Sequence, residues 1–279
     1  MRIRTIDRQD KRQVLGFTRH TWEWGDYIEG VFDDWCKEGL FLGAELDGRV
    51  VGIMHVAFLS DGSAWFEGGR IHPRYMRRGI MTALNTTAAK MAHADPIRSM
   101  VDETNVASTR MLDKFSARQI MGYGVYEGCF TSTGKASKAG KVRREGRWAT
   151  QRDVPVLLDH AKRHNHDWFY VPWRWQKLNE GALVKHIDQL YIIPGGLAAI
   201  EDSEASIHLA PQFYDVAGLE EMLRKASKMS QRRYGRGRIK VHLSKDTHLP
   251  KAQNPLGPGF SPIVNLIIYE VDRDVLASL

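Results

Sequence analysis

The strongest constraint on this chain is an internal echo. RWATQRDVPVLL, residues 147–158, lies over RTIDRQDKRQVL, residues 4–15, with Arg4 on Arg147, Asp10 on Asp153 and Leu15 on Leu158, each a shift of 143. Phe260–Ser261 and Tyr269–Glu270 repeat Phe115–Ser116 and Tyr126–Glu127 at shifts of 145 and 143. A period this long excludes solenoids and propeller blades, whose units run to about 20–50 residues, and points to a duplicated domain. Between the copies, TSTGKASKAGK is rich in Ser, Gly and Lys without apolar periodicity and reads as a linker. The expected organisation is a first domain over 1–130, a linker over 131–146 and a second domain over 147–279.

Hydrophobic spacing orders the first copy. Met1–Ile6 alternates as a short strand, and Asp7–His20 has helical spacing with Val14, Leu15 and Phe17 on one face. Thr21–Trp35 is interrupted by Gly25 and Gly30 and reads as broken helices or loops. Leu40–Leu46 and Val50–Phe58 flank Asp47–Gly48, a strong hairpin signal. A strand over Ala64–Ile71, a helix over Arg78–Ala92, a strand over Ile97–Val101, a helix over Ser108–Phe115 and a strand over Ile120–Phe130 follow. This order fits neither a doubly wound array nor a sandwich. The fold class it implies is α+β, a mixed, mostly antiparallel sheet flanked by helices. In the second copy, Leu197–Leu209 reads as a similar hairpin, turning at Glu201–Asp202–Ser203.

Composition narrows the function classes. Two cysteines, Cys36 and Cys129, cannot build a disulfide framework, and no Cys/His spacing resembles a zinc site. No metal is expected, and Cys129 reads as a buried thiol. MRIRTIDRQD lacks the apolar core of a signal peptide, and no run approaches the roughly 18 apolar residues of a membrane span. A soluble, cytoplasmic protein without a membrane partner is expected. The net charge of +7 is unevenly spread: residues 1–130 hold 17 basic and 17 acidic side chains, and the rest hold 23 and 16. A uniform basic surface is therefore excluded.

The segment that carries chemistry is WFEGGRIHPRYMRRGIMTAL, residues 65–84. A strand ends at Pro73, a basic turn follows, and Gly79 opens a helix. Such a helix start presents unpaired N–H groups and the positive dipole end to an anion. Arg74, Arg77 and Arg78 add formal charge, and a Gly lets the backbone approach a diphosphate. The plain alternative is a solvated basic turn.

These residues resemble the acetyl-CoA-binding motif of the GNAT N-acetyltransferase superfamily, a strand ending in Val-x-Pro followed by Arg/Gln-x-x-Gly-x-Gly/Ala. Ile71-His72-Pro73 matches the strand end and Gly79 the middle Gly. Asn105–Phe115, NVASTRMLDKF, resembles the family's Asn-x-x-Ala/Ser-x-x-Leu/Met helix. Met76 stands where the family has Arg or Gln, Met81 where it has Gly or Ala, and Leu112 where many members have a Tyr that protonates the departing thiolate. The resemblance implies acetyl transfer from acetyl-CoA, as co-substrate, to a primary amine of a small molecule or peptide. It implies cofactor contacts from Ile71, His72, Arg77, Arg78, Gly79, Ile80, Met81, Thr82, Asn105 and Ser108.

Removing the amine's proton requires a base. Glu67, on the motif strand, is the leading candidate; its alternative is a structural carboxylate paired with Arg70 or another basic group. Tyr123 and Tyr126 are candidates for the missing acid. His72 reads as a packing or hydrogen-bonding residue. Six acids between Trp22 and Glu38, against Lys37 alone, sit among Trp22, Trp24, Tyr27 and Trp35. Glu23, Trp24, Asp26 and Tyr27 are candidates to hold a cationic acceptor by charge and cation–π contact. The alternative is aromatic core with a solvated acidic face.

The second copy lacks the motif: HLAPQFYDVAGLEEMLRKA falls where the Gly-rich turn belongs, and Pro250, Pro255 and Pro258 interrupt the second motif. It reads as a degenerate repeat. Its run RKASKMSQRRYGRGRIK holds eight basic residues and no acid. An alternative function is therefore a binding protein in which Met76, Met81 and Leu112 mark lost catalysis. Its basic second half, with Arg232, Arg233, Arg236 and Arg238 around Tyr234, would then contact RNA or another polyanion.

Overall fold

The structure is a computed structural model that describes residues 1–22, 25–130, 146–171, 173–194, 196–203, 206–244, 256 and 259–279. The linker expected over 131–146 lies outside these residues except for Gly146, as do Glu23 and Trp24.

The first half contains β1 (Arg2–Thr5), α1 (Lys11–Thr18), α2 (Ile28–Trp35), β2 (Leu40–Leu46), β3 (Arg49–Phe58), β4 (Ala64–Ile71), α3 (Ile80–Ala92), β5 (Ile97–Asp102), α4 (Val106–Lys114) and β6 (Arg118–Cys129). The second contains β7 (Arg147–Trp148), α5 (Val154–Arg163), β8 (Trp168–Val171), β9 (Arg174–Lys177), α6 (Glu180–Lys185), β10 (Leu190–Ile193), β11 (Gly196–Ser203), β12 (Ser206–Tyr214), α7 (Val216–Tyr234), β13 (Arg238–Ser244), β14 (Phe260–Val271) and α8 (Arg273–Ala277).

Two compact units result: Met1–Ile120 with Ile267–Leu279, and Met121–Leu266. This division differs from boundaries drawn at 130 and 146. Met121–Phe130 groups with the second unit, and the end of the chain returns to the first. A buried ion network anchors the returning segment. The Arg98 guanidinium donates to Glu270 at 2.9 Å and to Asp61 at 2.7 Å, and Arg118 also pairs with Glu270.

In the first unit β1, β2, β3 and β4 are successively antiparallel, and β4 runs parallel to β5. Asp47 and Gly48 make the β2–β3 turn with φ of 51° and 74°, as the sequence predicts. One face packs Leu42, Val56 and Phe66 against Leu84, Ala88 and Leu112; the other packs Phe41 and Ile53 against Val14, Ile28, Phe32 and Trp35. Thr21–Trp35, expected as broken helices or loops, closes with the helix α2.

The second unit repeats the plan. β11 and β12 form an antiparallel hairpin, β12 runs parallel to β13, and β13 pairs with β6. Cross-strand pairing still holds at Glu201, Asp202 and Ser203, where the sequence reading set the turn. The repeat has a local cause. Asp10 accepts from Arg4 at 2.7 Å and from the Asp7 N–H at 3.1 Å; Asp153 accepts from Arg147 at 2.8 Å and from the Thr150 N–H at 2.8 Å. In both units an arginine on the first strand clamps the carboxylate that caps the first helical turn. That arginine also holds each carboxyl below its usual range. Cys129, expected to be buried, is exposed at the end of β6.

Candidate active site

The first unit's chemistry gathers where β4 leaves β5. Their pairing covers Ala64–Phe66 against Ile97–Ser99 and goes no further among the described residues. Residues 68–71 therefore present one strand edge away from β5. On the other edge, Ile53 faces Arg70 and His55 faces Glu67, so β3 spends one residue where β4 spends two, Gly68 and Gly69. This is a β-bulge, which turns backbone N–H groups out of the ladder. Gly68 has φ 66°, and a Cβ there would lie 2.2 Å from the Trp35 ring. Gly68→Ala is expected to destabilise the chain by about 2 kcal/mol through strain and overpacking, read by urea unfolding. Wild-type stability would remove the bulge from this account.

Beyond the bulge, residues 72–79 form the basic turn. His72 accepts from the Arg74 N–H at 3.2 Å and packs between Phe17 and Tyr75, in the hydrogen-bonding and packing role its neighbours suggest. Arg74, Arg77 and Arg78 are exposed, Arg78 lying over the Tyr75 ring at 5.3 Å. Gly79 has φ 74° and precedes α3 without a side-chain cap. The first helical bond is Ala83 N–H to Gly79 carbonyl at 3.0 Å, so the N–H groups of Ile80, Met81 and Thr82 point out of the helix end. Nothing lies within 4 Å of a Cβ built on Gly79. Met81 does not fill this space, because its Sδ and Cε lie against Gly69. Ile71 is half-buried beside Gly52. Asn105 caps α4 by accepting from the Ser108 N–H at 3.1 Å. Leu112 is buried in the core.

On the α2 side of β4, Glu67 bonds Nδ1 of His55 at 2.8 Å. Arg70 donates to Asp26 at 2.7 and 3.2 Å and lies over the rings of Trp22 at 4.3 Å and Tyr27 at 5.2 Å. Burial pushes the Tyr27 phenol up to about 12, so it stays a donor. Four of the six acids in the cluster that suggested a cation site are paired with basic side chains. Asp26 pairs with Arg70, Glu29 with Arg19, Asp33 with Lys11 and Asp34 with Lys37. Asp26 is thus a partner of Arg70 rather than a free anion for a cationic acceptor. His55, fully buried on β3, went unnoticed in the sequence; its signal is its position opposite the motif strand.

Tyr123 and Tyr126 belong to the second unit. Tyr123 is wholly buried against Trp175 and Tyr170, and burial raises its phenol well above the ordinary range. Tyr126 packs half-buried on that unit's core. The basic run divides between α7 and β13: Tyr234 and Arg233 engage Asp202, and Arg238 pairs with Glu127 at 2.7 Å.

The second unit has no such turn between β12 and α7. Between β12 and α7 stands a single residue, Asp215, whose carboxylate accepts from the Gly218 N–H at 2.7 Å. The helix end is closed by its own negative charge. The strand bulge recurs, since Leu197 faces Phe213 and Ala198 faces Pro211. Pro211 and Gln212 thus stand 143 residues after Gly68 and Gly69. Pro211 has no N–H to offer. The Gln212 amide accepts from the Tyr170 N–H at 3.0 Å and donates to the Tyr170 carbonyl at 2.7 Å.

Among the described residues no group of three or more His, Cys, Asp or Glu is placed to hold a metal, and no helix is long and apolar enough to cross a membrane. The sequence has no match among curated proteins. Among solved structures, a GCN5-related N-acetyltransferase from Sphaerobacter thermophilus aligns over 98% of this chain and 95% of its own, with TM-score 0.67 and 13% identity. A provisionally named acetyltransferase from Thermoplasma acidophilum covers 98% and 100%, with TM-score 0.65 and 20% identity. A tandem GNAT protein from the clavulanic acid biosynthesis pathway covers 98% and 98%, with TM-score 0.63 and 13% identity. At these identities the likeness is one of fold. Residues 4–116, which carry the strand, bulge and turn described above, match the acetyltransferase (GNAT) family.

Proposed function

We propose that the first unit transfers an acetyl group from acetyl-CoA directly to a primary amine, and that the second unit holds no second cofactor site. The observation that carries this reading is the run from bulge to turn: the strand edge of Gly68 to Ile71 beyond the pairing with β5, then the uncapped start of α3 beside Arg77 and Arg78. The N–H groups of Ile80, Met81 and Thr82 suit a diphosphate. The open edge of β4 suits an extended amide-bearing arm, and the bulge N–H groups suit the oxyanion that forms during acyl transfer. Ile71 and His72 would line the arm, and Asn105 and Ser108 would fix the facing end of β5. The amine's proton passes to Glu67.

The acceptor enters beside Tyr27, Trp22 and the Asp26–Arg70 pair. Since that pair carries no net charge, the arrangement favours an amine bound neutral over one drawn in by charge. The test incubates the full chain with acetyl-CoA and a panel of polyamines, aminoacyl compounds and peptides, and reads +42 Da products by mass spectrometry, the mass of one acetyl group. Amine-dependent thiol release with a matching acetylated product supports the reading. Thiol release that no amine accelerates would reject an amine acceptor.

A further inference from the structure

His55 and Glu67 are placed so that their geometry counts their protons. Nε2 of His55 lies 2.7 Å from the Glu38 carbonyl oxygen. A carbonyl oxygen only accepts, so Nε2 carries a hydrogen. Nδ1 lies 2.8 Å from Oε1 of Glu67. Two lone-pair atoms at that separation need a proton between them. Either an imidazolium donates to a carboxylate, or a carboxylic acid donates to a neutral imidazole. In both forms the pair holds one proton beyond Nε2–H.

The surroundings keep the pair in this register. The His55 ring is fully buried, stacks on Trp35 at 4.5 Å and 3°, and meets Phe41 edge-on at 6.0 Å. Emptying the pair would set a carboxylate against an imidazole lone pair inside that aromatic box. Tyr27, before α2, lies near Glu67, Asp26 and Arg70. Asp26 and Arg70 neutralise each other, α2 itself presents Trp35, and β2 presents Phe41.

We propose that His55 and Glu67 form one proton-carrying unit, through which Glu67 protonates the leaving sulfur while His55 shares and positions the proton. The donor role rests on the acetyl-transfer reading above. In the step, the amine nitrogen bonds the acetyl carbon, the carbon–sulfur bond breaks with its electron pair on sulfur, and the unit's proton goes to sulfur. The proton leaving the amine then reloads the unit, so the balance closes without another reactant. Glu67 touches the reacting atoms, and His55 is a positioning residue. The unit also fills the part left vacant by Leu112, whose side chain is buried in the core.

The proton count is read without any substrate, by NMR of the full chain labelled with 15N-histidine and 13C-glutamate. At pH 7 the expected spectrum has either Nδ1 of His55 or the Glu67 carboxyl protonated. In Glu67→Gln, His55 should be a plain neutral Nε2–H ring. An ionised Glu67 beside an unprotonated Nδ1 at pH 7 would overturn the proposal. The donor role is read as slow cleavage of acetyl-CoA by water, measured relative to Glu67→Gln. The wild-type excess should fall at least tenfold across the pH at which the NMR shows unloading. His55→Gln, chosen to stay folded, should reduce that excess while acetyl-CoA affinity stays within about twofold. An excess that rises as the unit unloads would make Glu67 a base and overturn the donor role. If acetyl-CoA does not bind at all, the donor role falls with the transferase reading, and the proton count stands on the NMR alone.

Discussion

Gly79→Glu should lower acetyl-CoA affinity at least a hundredfold while leaving the chain folded. The position has φ 74°, so any side chain there is strained by about 1 kcal/mol. That cost is tolerable, because nothing lies within 4 Å of an added Cβ and no packed group need move. The carboxylate would instead occupy the end of α3, accept from its exposed N–H groups and repel a diphosphate. Asp215 already does this to the second unit's helix. Gly79→Ala, with the same strain and no charge, should lose far less affinity. Isothermal titration distinguishes them, and equal affinities for the two variants would move the phosphate site elsewhere.

Acid should destabilise the second unit on the order of 4 kcal/mol between about pH 6.5 and pH 3. Nδ1 of His208 lies 3.0 Å from Nε2 of His242, with Trp173 packed edge-on against both rings. Burial lowers His208 to about 3 and drives His242 in the same direction, so the folded protein keeps both rings neutral. The unfolded chain binds protons near pH 6.5 and the folded one does not. Below that pH the unfolded state therefore holds more protons, and stability falls as pH falls. Urea midpoints followed by tryptophan fluorescence at pH 7 and pH 4.5 measure this, since Trp173 and Trp175 lie in the cluster. His208→Phe should flatten the acid limb. An unchanged limb in that variant would assign the acid sensitivity to other groups.

Much of the fold was legible because its signals are local. Arg4 with Asp10 and Arg147 with Asp153 are repeated because each pair performs one short-range task, clamping a helix start to a strand. Asp47–Gly48 fixes a hairpin through backbone conformation alone. The turn at 72–79 was legible for the same reason. What stayed hidden depends on cross-strand register. Glu67 and Arg70 are three apart, which in a regular strand sets them on opposite faces. The extra residue at Gly68–Gly69 turns both toward α2, where Glu67 meets His55 and Arg70 meets Asp26. Sequence spacing could not supply that bulge. The difference between the two units was half visible. The missing Gly-rich turn stood out, whereas Pro211–Gln212 at the positions of Gly68–Gly69 becomes meaningful only once the strands are aligned. The return of Ile267–Leu279 to the first unit was invisible, because it rests on Glu270 meeting Arg98 across 172 positions.

The proposed chemistry does not draw on the excess positive charge of the second half. The turn that carries it needs only the arginines between Pro73 and Gly79, in a half whose basic and acidic residues balance at 17 each. The most direct test of the whole account is the stoichiometry of acetyl-CoA binding to the full chain, titrated calorimetrically. The expected result is one site per chain, abolished by Gly79→Glu and untouched by Asp215→Asn. Two sites, or one site that survives Gly79→Glu, would contradict it.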